Sequence, residues 1–108
     1  MNDKDLINIS QSDLFSKQEM ETEKPTLYRV ILINDDFTPM EFVVYILQSI
    51  FGYEHERSTQ IMLAVHTKGK GVCCIFPQEI AQMKSHEINE MAKAHEHSLI
   101  SEIEPLTD

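Results

Sequence analysis

Asn34-Asp35-Asp36 sets a carboxamide and two carboxylates side by side, directly before Thr38-Pro39-Met40-Glu41. That second group reads as a helix start, with a capping hydroxyl, a proline whose fixed φ suits the first helical position, and a glutamate three residues after the cap. Negative charge is favoured beside the unpaired N–H groups of such a start, although Asn and Asp are also ordinary turn residues. His66 adds an acceptor, because helical spacing places it on one face with Met62 and Val65. A carboxamide oxygen, a carboxylate and a neutral imidazole all accept hydrogen bonds, whereas an ammonium group only donates. The set therefore complements a free peptide N-terminus, with Met40, Val43, Met62 and Val65 available as walls of an adjoining apolar hole.

Two other chemistries use the same residue types. Paired carboxylates and a histidine suit acid–base hydrolysis, but adjacent aspartates on extended backbone diverge, and no Ser or Cys stands in a recognisable nucleophile elbow. Metal binding would draw on His55, His66, His86, His95, His97, Cys73 and Cys74, which lack a closed set of ligand spacings. His95 and His97 straddle a helix end, where the dipole favours them without any metal. No metal or cofactor is expected, and a metal-binding protein is the alternative reading.

The elements that must position these groups follow from periodicity. Residues 27 to 33 are short, apolar and β-branched, as in a buried strand. A helix over 39 to 51 carries Met40, Val43, Val44, Leu47 and Phe51 as its stripe and ends at Gly52. A second helix runs from about 54 to 68, with Gly69 as its C-cap. Val72-Cys73-Cys74-Ile75-Phe76 is a second strand, with the two thiols free and alternating in direction. A third helix begins at Pro77 and continues to about Glu96, with Ile80, Ile88, Met91, Ala92 and His95 facing the core. The last strand puts Leu99 and Ile103 on one face. The expected fold is α+β: a two-layer β-α-α-β-α-β domain with a small antiparallel three-stranded sheet packed against three helices, its strand order left open.

A chain of 108 residues is one domain in size, and its net charge of −9 argues against nucleic acid or anionic lipid as partners. The acidic start Met1-Asn2-Asp3-Lys4-Asp5 precedes no long apolar run, so neither a secretory signal nor a membrane span is expected and the reading is cytoplasmic. Residues 1 to 24 carry six acidic and three basic side chains with scattered apolar positions, which predicts a flexible tail. Pro25 begins the core domain, 25 to 108.

From Pro25 onward the chain resembles the ClpS family of adaptor proteins for the bacterial ATP-dependent Clp protease. The resemblance rests on the run Tyr28 to Val43 through Asn34-Asp35-Asp36-Phe37-Thr38-Pro39-Met40-Glu41, on Met62-Leu63-Ala64-Val65-His66 with Gly69, and on Glu79 and Lys84. It implies an adaptor without catalytic activity, a monomer that captures proteins whose first residue is Leu, Phe, Tyr or Trp and hands them to the AAA+ unfoldase ClpA. It further implies that Asn34, His66 and one or both of Asp35 and Asp36 hold the α-ammonium group. The first side chain would fill a hole lined by Ile33, Thr38, Met40, Val43, Met62, Val65 and Leu99. Glu79 and Lys84 would belong to the surface that docks on the unfoldase N-terminal domain, and the acidic tail would be drawn toward its pore. The chain departs from the family at Cys74, where a small residue, often glycine, is common, and at Ser98, where proline is usual.

Overall fold

Leu27–Ile33 forms β1, the central strand of a sheet ordered β2-β1-β3, with β2 at Lys70–Pro77 and β3 at Ile100–Pro105, both antiparallel to it. The computed structural model describes residues 25–106, so the acidic tail predicted over 1–24 lies outside the described residues. β1 is paired along both edges and is the most buried of the three strands: Val30 and Leu32 are fully buried and Ile31 nearly so. Three helices cover one face, α1 at Met40–Phe51, α2 at His55–Lys68 and α3 at Gln78–Ala94. The expected α+β architecture is therefore present, and the strand order is now defined.

Two glycines stop the helices that carry the candidate site. Gly52 has φ 70° and donates its N–H to the Gln48 carbonyl, and Gly69 has φ 90° and donates to the Val65 carbonyl. Both conformations are left-handed, where a Cβ is disfavoured.

Several local expectations change. Pro39, not Thr38, occupies the N-cap of α1, and no side chain caps that helix. The Thr38 hydroxyl is instead spent on Asp35. Pro77 likewise closes β2 and precedes α3. The buried stripe of α3 is Ala81, Ser85, Ile88 and Ala92, while Ile80 is 40% exposed, so the helix is rotated from the expected face. Small residues at three of these four positions let its axis approach the sheet closely. Ser85 and Ser101 share a 3.0 Å hydroxyl hydrogen bond there, and Asn89 bonds both backbone groups of Ser101.

The two cysteines do not alternate as expected. A bulge in β2 pairs Val30 with Cys74 and Ile31 with Val72, leaving Cys73 as the extra residue. Cys73 is buried in the core and Cys74 half-buried, and both are free. Burial, with a smaller contribution from neighbouring Cys74, pushes the Cys73 thiol up to about 12, which makes it an inert core group.

Candidate functional site

The end of β1, the start of α1 and the end of α2 meet around one cavity of about 260 Å³. Its polar mouth is built first by backbone: the Asn34 N–H donates to the Gly69 carbonyl at 2.9 Å, which ties the β1–α1 junction to the last turn of α2. His66, three residues before Gly69, is thereby brought to the same opening as Asn34, Asp35 and Asp36. Met62, Val65 and His66 line the cavity together, as their shared helical face predicts. Met40 and Val43 line it from α1, and Leu99 from the segment just before β3. Val43, Met62, Val65 and Leu99 are buried, while Met40 is 43% exposed at the rim.

Ile33, expected as a wall, stands apart from these residues. It is absent from the lining, because strand alternation sends Leu32 into the core and Ile33 to the opposite face, paired with Lys70 and Ile100. Pro39 lines the cavity instead.

The polar groups divide their work. Asn34 Nδ2 donates to Asp36 Oδ1 at 3.2 Å, so the amide is held by its donor end and its carbonyl oxygen is left to accept. Asp36 is exposed beside it. Asp35 is engaged elsewhere: its Oδ2 accepts from Thr38 Oγ1 at 2.5 Å and from Ser98 Oγ at 2.6 Å. These bonds, Ser98 first and Thr38 next, outweigh desolvation and hold the Asp35 carboxyl below its ordinary 3.8. The lining contains no Lys or Arg, and with its two carboxylates it favours a cation at the mouth.

Ser98, one of the two departures from the family pattern, therefore bears on the site. Its hydroxyl clamps the β1–α1 junction to the residue preceding Leu99, a cavity wall. Because folding lowers the Asp35 pKa, the clamp stabilises fully above the unfolded value near 3.8 and is lost as pH falls through the lower folded value. Ser98→Ala is expected to cost about 1 kcal/mol or less at neutral pH, as suits a largely exposed charge-assisted bond. The difference in melting temperature between parent and variant should shrink as pH falls below the ordinary carboxylate value, and an NMR titration should show the Asp35 pKa rising toward 3.8 in the variant. A difference that persists unchanged in acid would assign the effect of Ser98 to something other than this carboxylate.

Other predicted residues have different surroundings. Lys84 Nζ donates to the Ile50 carbonyl near the end of α1 at 3.2 Å and pairs with Glu87 at 3.7 Å, and no ion pair with Glu79 is formed. Glu79 sits exposed in the first turn of α3. His95 and His97 lie against Phe42, with ring centroids at 5.2 and 4.4 Å. Among the described residues no three His, Cys, Asp or Glu side chains gather as a metal site, and no helix is long and apolar enough to cross a membrane.

Fold and site together define a small α+β binding module: an apolar cavity on the scale of one large side chain, with hydrogen-bond acceptors grouped at its mouth. The chain matches the family model described as ATP-dependent Clp protease adaptor protein ClpS over residues 23–102, and it belongs to that family. It is 48% identical over 87 residues to the ATP-dependent Clp protease adapter protein ClpS of Hyphomonas neptunium, covering 81% of this chain and 74% of the relative. It is 50% identical over 80 residues to the adapter of the same name from Escherichia coli, covering 74% and 76%. Among solved structures, Agrobacterium tumefaciens ClpS2 bound to L-phenylalaninamide superposes with a TM-score of 0.75 at 33% identity, covering 76% of this chain and 99% of that one.

Three features of the site escape a reading of the sequence. Ser98 has no local signal for its partner, 63 residues away. Pro39 reads as helix-start chemistry before it reads as a wall. Gly71 looks like an ordinary glycine, yet it is the point where β2 passes against Val65.

Proposed function

We propose that the protein binds the free N-terminus of substrates that begin with a large hydrophobic residue (Leu, Phe, Tyr or Trp) and delivers them to a ClpA-type AAA+ unfoldase. The observation that carries this reading is the pairing of an apolar cavity with the acceptors Asn34, Asp36 and His66 at its mouth. In this arrangement the first side chain enters between Met40, Val43, Met62, Val65 and Leu99, and the α-ammonium donates to the three acceptors. Asp35 contributes negative charge and holds Thr38 and Ser98 in place. The reading is supported by the ligand of the Agrobacterium relative, since L-phenylalaninamide carries a free amine and a benzyl side chain, like a chain that begins with phenylalanine.

The protein performs no chemistry on its substrate in this scheme and works as a cytoplasmic monomer. Docking on the unfoldase N-terminal domain uses the start of α3, where Glu79 is exposed beside Ile80 and Met83, 40% and 58% exposed. Lys84 contributes there by fixing α3 to the end of α1. Fluorescence anisotropy with labelled peptides that differ only in the first residue tests the central claim. Peptides starting with Leu, Phe, Tyr or Trp should bind at least tenfold tighter than those starting with Gly or Ser, because filling the cavity buries a full apolar side chain worth about 1.5 to 3 kcal/mol. Equal affinity across first residues would refute it.

A further inference from the structure

A second cavity of about 410 Å³ lies between α1 and α2, immediately beside the first. Met40 and Met62 line both, so the two cavities adjoin and share these methionines as walls. Val44 and the Tyr45 ring extend the apolar wall, and Glu41, Gln48 and His55 sit around it. Tyr45 is 48% exposed and Val44 8%, so the hollow has an apolar floor and one large aromatic side chain standing at its edge. Nothing in the one-residue scheme above uses it.

We infer that this second cavity is a subsite for the third side chain of the bound polypeptide, and that it selects a large apolar one. The inference rests on the proposed seating of the first residue. An extended chain turns successive side chains to opposite faces, so residues one and three point the same way, about 6.6 Å apart, while residue two points away. Two adjoining hollows that share Met40 and Met62 as walls suit such a repeat. The ammonium group, held at Asn34, Asp36 and His66, fixes the first residue, and only the chain beyond it is free to reach over Met40. Continuity through Met40 and Met62 argues for the same polypeptide and against a separate ligand. The flexible, unbranched thioethers can adjust to occupants on either side.

The test uses the full chain and free-amine peptides that begin with phenylalanine. Position three is varied between glycine and leucine, and position two is varied in the same way in a second set. Leucine at position three should bind about fivefold tighter than glycine, as expected for partial burial of one aliphatic side chain, with position two nearly indifferent. Tyr45→Ala, which removes the edge of the second cavity and lines no part of the first, should reduce the position-three ratio to within about twofold. It should leave the ratio between phenylalanine-first and glycine-first peptides in place. Indifference to position three in the parent, a preference that appears at position two instead, or a position-three preference that survives Tyr45→Ala would each overturn the subsite. Loss of first-residue preference in the parent would instead mark the failure of the underlying function, which the same peptides report separately.

Discussion

Acetylating the N-terminus of a leucine- or phenylalanine-starting peptide is expected to weaken binding by at least about 2 kcal/mol, roughly 30-fold. The mouth of the cavity holds Asn34, Asp36 and His66, and Asn34 is already turned by its bond to Asp36 so that its carbonyl oxygen is the open end. An ammonium group satisfies such acceptors with three charged donors, while an acetylated amine offers one neutral N–H and a carbonyl that faces other acceptors. Several charge-assisted bonds are lost together, and the acceptors are left desolvated against the bound chain. Asn34→Ala should show a smaller loss for the free amine and almost none for the acetylated peptide, since the interaction it removes is then already absent. Anisotropy titrations of paired peptides measure both. If free and acetylated peptides bound alike, the polar mouth would be turn chemistry, and the cavity would recognise apolar side chains wherever they occur.

Gly71→Ala should destabilise the fold and distort the cavity from behind. An added Cβ at Gly71 would stand 2.7 Å from Val65 Cγ2, with the Val65 backbone nitrogen and Cα at 3.5 and 3.6 Å. The helix backbone cannot give way cheaply, so the strain falls on Val65, a buried residue whose other side lines the cavity. Overpacking of this kind costs about 1 to 3 kcal/mol, which in a domain of this size lowers the melting temperature by about 4 to 8 °C per kcal/mol. Affinity for phenylalanine-starting peptides should fall as well, because Val65 can relieve the clash only by moving into the space the side chain needs. The double variant Gly71→Ala with Val65→Ala decides the mechanism: a positive coupling, with the second change costing less than it does alone, is expected from calorimetry. Strictly additive losses would mean that the two residues do not press on each other.

Much of the candidate cavity's lining was legible because its signals are local. Asn34-Asp35-Asp36 precedes a helix start by a few residues, and Met62, Val65 and His66 follow from helical spacing, which directs residues three and four apart to one side. Strand-versus-helix periodicity was enough for the order of elements, and Gly52 and Gly69 marked their ends through the left-handed turns they adopt. The same rules fail where a side chain has two uses within reach. Thr38 has the chemistry of a cap, but the carboxylate of Asp35 lies closer to hand, and the helix begins without it.

What tertiary structure decided depends on contacts between segments far apart in sequence. Whether Ile33 faces the cavity is set by the register of β1 against two partner strands, since a one-residue change of phase moves a side chain to the other face. The bulge that sends Cys73 inward belongs to that same pairing. The face of α3 was chosen by how close small residues allow it to approach the sheet, a packing advantage that favours Ala81 over the more hydrophobic Ile80. Ser98 meets Asp35 because the last strand lies beside β1, and the cavity it braces has walls from α1, α2 and the approach to β3. Local spacing determined which groups each element could present; only the docking of those elements, driven by burial of their apolar faces, determined which of the groups share a space.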